Sequence, residues 1–388
     1  MLTFDDWRAR SPFYDETHDA VARSVAKFVE REITPHIDRW EAEGELPREL
    51  HRKAAAAGIL GLGFPEEYGG LSEGFDIFHT LTQAEELAKP GAGGLHASLM
   101  THSMALLPVL QLGSEEMKRR VAPAVLAGDK LIALAISEPS GGSDVANLKT
   151  TAKRVGDRYV VNGSKTFITS GMRSDYFMTA VRTGGPGMGG ISLLLLEADM
   201  PGFARTKLDK MGWRCSDTAT LYFDNVEVPA ENLIGPENQG FQRIVRNFND
   251  ERLLMSMQCC AHSRVCLREA SEWALVRETF GKRLVDHQTI RVKLANIALM
   301  IEGTQAWVDQ CAWMHREGKL APASAAMLKV QATRTLELAA REAAQVLGGA
   351  SYITGSKVER IYREVRVNAI GGGSEEIMLD LAGRQLFR

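Results

Sequence analysis

Three places along the chain combine residue types that could do chemistry together. The first is Leu131–Asp144, an apolar run that ends in the acidic, Gly/Ser-rich turn SEPSGGSD. The second is Ile370–Ile377, where GGGSEE follows a helical pattern. Both turns offer backbone N–H groups and small hydroxyls, a lining suited to a bulky, electron-rich cofactor. The third is Glu251. It follows Ile244 by seven residues and Phe248 by three, on the apolar face of a helical pattern that also contains Phe241 and Val245. A carboxylate there is desolvated, and its pKa rises. A polar cradle beside a raised base suggests proton abstraction coupled to redox chemistry.

The elements that must position these groups fall into three blocks. Residues 16 to about 128 carry the helical period, with Val21, Val25, Phe28 and Val29 and later Leu81 and Leu87, punctuated by Gly58, Gly61, Gly63 to Pro65 and Gly69-Gly70. From Leu131 the texture changes to short β-forming runs at 131–136, 158–161, 166–168, 176–181, 191–196 and 221–223. Gly156-Asp157 and Asn162-Gly163 read as turns between them. The spacing predicts an antiparallel sheet with no room for helical crossovers, closed by Pro229 and Gly235-Pro236. The helical period returns from Asn238, with further long helices over 289–318 and 323–347. The expected fold is therefore α+β and multidomain. An N-terminal helical domain (1–129) precedes a middle β domain (130–237) and a C-terminal helical domain (238–388).

Composition excludes several classes. With 46 Lys and Arg against 49 Asp and Glu, the chain lacks the basic excess of a nucleic-acid binder. No apolar run approaches the ~20 residues of a membrane span. The acidic, aromatic start, MLTFDDWRAR, shows neither a secretory nor a transit pattern, which points to a cytoplasmic, bacterial-type protein. The five cysteines, Cys215, Cys259, Cys260, Cys266 and Cys311, form no C-x-x-C pair and have no His at zinc-ligand spacing. They read as small buried hydrophobes, and no metal is expected.

Five segments in this order resemble the acyl-CoA dehydrogenase family, and the similarity runs essentially from end to end. They are Ser137–Asp144, Lys165–Gly171 (KTFITSG), Arg277–Gln288 (RETFGKRLVDHQ), Gln345–Ile353 (QVLGGASYI) and Arg360–Ile377 (RIYREVRVNAIGGGSEEI). The resemblance implies an FAD enzyme that introduces a trans double bond at C2–C3 of an acyl-CoA thioester. It also implies a C-terminal four-helix bundle, a homotetramer built as a dimer of dimers, and electron transfer to an electron-transfer flavoprotein.

The resemblance also implies roles. Ser137, where the family usually has Thr, bonds the pyrimidine side of the flavin, and backbone groups of Leu134 and Ile136 line the same ring. Ser143 sits in the tight turn near ribityl or thioester groups. Phe167, often Trp in the family, packs on the ring, and Thr169 donates to flavin N5; strand alternation puts both on one face. Arg277, from a neighbouring subunit, meets the pyrophosphate. Thr279, Phe280 and Gln288 lie near it, and Gln345, Gly348 and Gly349 approach the adenosine half. Ser374 and Glu376 fall at cofactor-contacting positions.

Many members carry the catalytic Glu just before the Gly-Thr of the last signature. Aligning Gly373-Ser374 with that pair puts Gly372 there, and glycine cannot take a proton. A smaller set, including long-chain and isovaleryl-type members, carries the Glu on the first long C-terminal helix in a Glu-Arg-Leu context. Asn249–Leu254 (NDERLL) supplies it as Glu251. Glu251 would then take the α-proton while hydride passes to flavin N5, and the N–H of Gly372 would bond the thioester carbonyl. Phe248, Asn249, Arg252 and Gly373 would line the CoA side. Two alternatives stay open on the sequence: an oxidase of the same fold that uses O₂, and an acyl-CoA-binding flavoprotein without turnover.

Overall fold

The computed structural model describes residues 4–387, with the side chains of residues 4–6 and 242–247 outside the description. Ile244 and Val245, which support the period around Glu251, are therefore placed on a helix but not by their side chains.

Among the described residues eight α-helices form the first block: α1 (Phe4–Arg10), α2 (Glu16–Phe28), α3 (Ile37–Glu43), α4 (Glu49–Ala56), α5 (Ile77–Ala88), α6 (Gly93–Leu99), α7 (His102–Leu112) and α8 (Glu115–Leu126). Local sequence sets their ends. Asp15 and Asp76 each cap the following helix and receive a histidine three residues on, His18 and His79, as reciprocal capping boxes. Gly44 closes α3 at φ +83°, a conformation that costs glycine little.

The middle block holds β1 (Ile132–Ala135), β2 (Thr151–Val155), β3 (Arg158–Thr169), β4 (Tyr176–Arg182), β5 (Ile191–Glu197), β6 (Phe203–Lys207), β7 (Thr218–Pro229) and β8 (Leu233–Ile234). Their order is β6-β7-β3-β2-β4-β5-β8, mostly antiparallel. Two findings differ from the sequence reading. β1 pairs with β4 in parallel, Ile132 opposite Tyr176, the connection running through β2 and β3 rather than a helix. Asn162-Gly163 does not turn the chain; β3 runs straight through it with a register shift against β7. A Cβ on Gly163 would lie 2.7 Å from Thr150, so close backbone approach demands glycine there. Gly156-Asp157 does form the two-residue loop between β2 and β3.

The last block is α9 (Gly240–Val276), a small hairpin of β9 (Glu278–Thr279) and β10 (Lys282–Arg283), then α10 (Gln288–Arg316), α11 (Pro322–Leu347), α12 (Lys357–Ile370) and α13 (Glu375–Leu386). Helices α9 to α12 pack together, and α13 lies on α11. Fully burying one large apolar side chain contributes roughly 1.5–3 kcal/mol, and these faces are lined by such residues. Two cores cross between blocks and fix the site. One joins Leu106 and Val109 of α7 to Ile132, Met178 and Leu193 of the sheet, with Leu134, Phe241 and Phe248 packed against it. The other joins Trp7, Phe78 and Leu81 to Leu253, Met257, Val308 and Leu328.

Candidate active site

Helix α9 is enclosed on all sides over the turns that follow residue 251. Leu253, Met257 and Cys260 face the core, while Glu251, Met255 and Gln258 are half-buried along the opposite stripe. The Oε2 of Glu251 is sealed from solvent and has no hydrogen-bond partner. Burial pushes this carboxyl up to about 7, against the opposing pull of Arg252 and Lys329. Arg252 is not tied to it: its Nη1 donates to Asn249 Oδ1 at 3.0 Å and its Nε to the Gly372 carbonyl at 3.4 Å. The guanidinium also lies over the Phe248 ring, 5.8 Å from its centre.

The loop facing this carboxyl is Gly371–Gly373, between α12 and the Ser374 cap of α13. Gly372 and Gly373 have φ of +66° and +109°. A Cβ on Gly372 would stand 3.8 Å from the Glu251 carboxyl carbon and 2.9 Å from Met255 Sδ. A side chain at 372 would therefore press on Met255 first, while its Cβ would only touch the carboxyl of Glu251. The carbonyls of this loop are held by cations, Gly372 by Arg252 and Gly373 by Lys329 Nζ at 2.8 Å. Among the described residues the Gly372 N–H has no acceptor.

The turn after β1 borders the same core, which includes Ile136 and against which both Leu134 and Phe248 pack. Glu138 organises it. Its carboxylate accepts from Lys149 N–H at 2.6 Å, Thr150 N–H at 2.9 Å and Lys165 Nζ at 2.8 Å. Lys165, fully buried, also donates to the Ile136 carbonyl, and Thr166 N–H donates to that of Ser137. Ser137 and Thr169 are half-buried, and Ser143 is exposed in the turn. Simple strand alternation does not describe Phe167. An additional residue lies between Lys165 and Ile168, and Phe167 takes φ +61° with 71% of its surface exposed. Phe167 is thus a bulky residue held in left-handed backbone with its ring presented outward, an arrangement that costs conformational energy.

Family models match the chain in three consecutive parts: the acyl-CoA dehydrogenase N-terminal domain over residues 15–129, the middle domain over 133–226 and the C-terminal domain over 238–387. The chain belongs to the acyl-CoA dehydrogenase family. The long-chain specific acyl-CoA dehydrogenase of Rattus norvegicus mitochondria is 36% identical over 378 residues, covering 96% of this chain and 87% of that one. A crystal structure described as a probable acyl-CoA dehydrogenase from Mycobacterium abscessus superposes with a TM-score of 0.94 at 44% identity, covering 96% and 100%. A glutaryl-CoA dehydrogenase from Mycobacterium smegmatis in complex with FADH2 superposes with a TM-score of 0.90 at 25% identity, covering 96% and 95%.

In this acyl-CoA dehydrogenase the remaining expected contacts gather elsewhere. Arg277 is exposed at the end of α9, and its carbonyl accepts from Leu284 N–H at 2.7 Å. Thr279 Oγ1 meets His287 Nε2 at 3.1 Å, Phe280 is 98% exposed, and Gln288 opens α10 on the surface. Gln345, Gly348 and Gly349 are exposed at the end of α11, and Leu284 and Val285 share a core with Val346 and Leu347. These two segments thus form one surface. It lies ~39 Å along α9 from Glu251, counting 1.5 Å per residue. Ser374 caps α13 by accepting from Ile377 N–H, and Glu376 stands exposed in the first turn.

Three buried charged groups near the site carry little signal in the sequence. Lys329 is buried in an alanine-rich helix, where its burial signal is weak, and desolvation lowers it to about 8. Glu138 and Lys165 were read only as motif positions. His18, Asp76 and His79 bring ligand-type atoms within 4.8 Å of one another. Those atoms are the paired helix caps described above, with Thr17 closing the ring to His79 Nε2 at 3.0 Å.

Proposed function

We propose that this enzyme oxidises an acyl-CoA thioester to the trans-2-enoyl-CoA, with Glu251 as the base. The observation that carries the reading is the sealed, partnerless carboxyl oxygen of Glu251 beside a glycine whose N–H meets no acceptor among the described residues. A thioester seated in the 372 loop would offer its carbonyl to the Gly372 N–H, placing the α-carbon before the carboxyl. A base poised near pH 7 is matched to that proton. Arg252 and Asn249 hold the loop to α9, and Phe248 excludes water beside it. Lys329, donating to the neighbouring carbonyl, ties the loop to α11.

The residues fit FAD. Phe167 presents an open ring face, Ser137 adjoins it through the bond from Thr166 N–H to its carbonyl, and Thr169 follows on β3. When bound, FAD supplies acceptance of the β-hydride. Ser143, Leu134 and Ile136 would line the ring with Ser137, and Ser374 and Glu376 would contact the cofactor from the α13 end. Arg277, just past the end of α9, lies too far along it to serve the same ring as Glu251, which supports its reaching, with Thr279, Phe280, Gln288, Gln345, Gly348 and Gly349, a second copy's cofactor. Val276, Phe280, Tyr352 and Ile353 are exposed apolar side chains on that surface, as a subunit contact requires. A homotetramer built as a dimer of dimers, with an electron-transfer flavoprotein as acceptor, follows from the same reading.

Anaerobic mixing of the flavin-loaded enzyme with saturated acyl-CoAs tests it. Bleaching of the flavin in the wild type, lost in Glu251→Gln, is the expected result. No bleaching with any chain length overturns the reading in favour of a binding protein. Hydrogen peroxide formed at turnover rate in air would make the protein an oxidase.

A further inference from the structure

The stripe of α9 that carries Glu251 runs on through Met255 and Gln258, all half-buried, and stops at His262, which is buried. These positions advance by three or four residues, so they share one face. Ala97, Thr101 and Met104 are half-buried among fully buried neighbours on α6, α7 and the junction between them. Helix α7 packs on α9, with Leu107 and Leu110 on the same core as Phe248. An acyl chain that followed this face of α9 inward from the base would run toward His262.

The inner end of that face is polar. His262 is 5% and His96, on α6, 8% exposed, yet His262 Nε2 and His96 Nδ1 are sealed with no hydrogen-bond partner. The nearby hydroxyls of α9 are already used: Ser256 donates to the Arg252 carbonyl and Ser263 to that of Cys259, each at 2.7 Å. The two rings are close enough for charge on His262 to oppose charge on His96. Burial lowers His96 to about 3 and His262 to about 4, so both are neutral at pH 7. A neutral imidazole can donate or accept. Leaving such atoms unpaired is costly, so a partner is expected to enter. An anionic chain end would find no counter-charge there; a hydroxyl or keto oxygen finds two complementary nitrogens.

We propose that His96 and His262 form a polar end wall to the path of the acyl chain and select thioesters of about a dozen carbons bearing a neutral hydroxyl or keto group near the chain end. This rests on Glu251 being the base. The length follows because eleven positions of helix span ~16 Å, and an extended alkyl chain advances ~1.25 Å per carbon.

The test compares dodecanoyl-CoA with 12-hydroxydodecanoyl-CoA on the flavin-loaded enzyme. The wild type should favour the hydroxylated chain by about tenfold or more in kcat/KM. His96→Leu and His262→Leu should abolish or invert that preference, and His96→Gln should retain part of it. A wild type that favours the plain chain overturns the proposal, showing that the histidines hold a water or only pack. That comparison needs no variant to fold. An unchanged ratio in both leucine variants overturns it as well. If neither thioester bleaches the flavin, the base assignment falls too; if only the plain chain does, the assignment of Glu251 stands and the end wall alone is lost.

Discussion

Keeping a carboxylate in the Glu251 position has a stability cost that pH should reveal. Its pKa is pushed from 4.5 to about 7 by burial. The folded state therefore holds a proton that the unfolded chain has released across the interval from 4.5 to 7. Below 4.5 both states are protonated and nothing is lost. As pH rises through that interval stability falls, and above 7 the full difference is lost. At ~1.36 kcal/mol per pKa unit, the loss is about 3 kcal/mol at pH 8 and under about 1 kcal/mol at pH 5. Glu251→Gln removes the ionisation and keeps the shape. Its amide has its own unpaired hydrogen-bonding atoms, but that contribution is the same at both pH values and cancels in the comparison. Thermal unfolding of the flavin-loaded wild type and variant at pH 5 and pH 8 is the assay. The variant should gain stability over the wild type at pH 8 relative to pH 5. An equal difference at both pH values, or a larger gain at pH 5, would refute the claim that the buried carboxyl ionises near neutrality.

Three further outcomes follow from the same geometry. The acidic limb of kcat/KM should turn near pH 7 and fall about tenfold per unit below it, because only the ionised Glu251 accepts a proton; a limb near 4.5 would contradict the burial argument. Lys329→Met removes a charge that lowers Glu251, so the limb should move to higher pH, read from the same profile. Lys165→Met strands Glu138, buried with its backbone donors but without its counter-charge, and should destabilise by roughly 3 kcal/mol in denaturant titration.

Much of the architecture is legible because each block announces its own period. Glu251 is visible for the same reason: a charged residue on an apolar stripe stands out in one helix read alone. What the sequence hides depends on distant partners. Thr151–Val155 and Phe203–Lys207 carry charged residues on half-exposed strands, so β2 and β6 have no apolar run to betray them. Asn162-Gly163 looks like a hairpin turn, and only the closeness of Thr150 shows why glycine sits within a strand. Phe167 leaves the pleat because β7 supplies one residue fewer than β3, a mismatch no local pattern records. His96 and His262 lie far apart in the chain, and neither has a neighbour in sequence that marks it as unpaired.

The central claim is that Glu251 takes the α-proton. Exchange of that proton with solvent deuterium isolates the step. The flavin-loaded enzyme is incubated in D₂O with a 3-oxa-acyl-CoA, whose β-position cannot give up hydride, and deuterium at the α-carbon is followed by NMR. Wild type should incorporate deuterium, with a rate that rises through pH 7, and Glu251→Gln should be slower by ~10²–10⁴-fold. Exchange at the wild-type rate in that variant would place the base elsewhere and contradict the account.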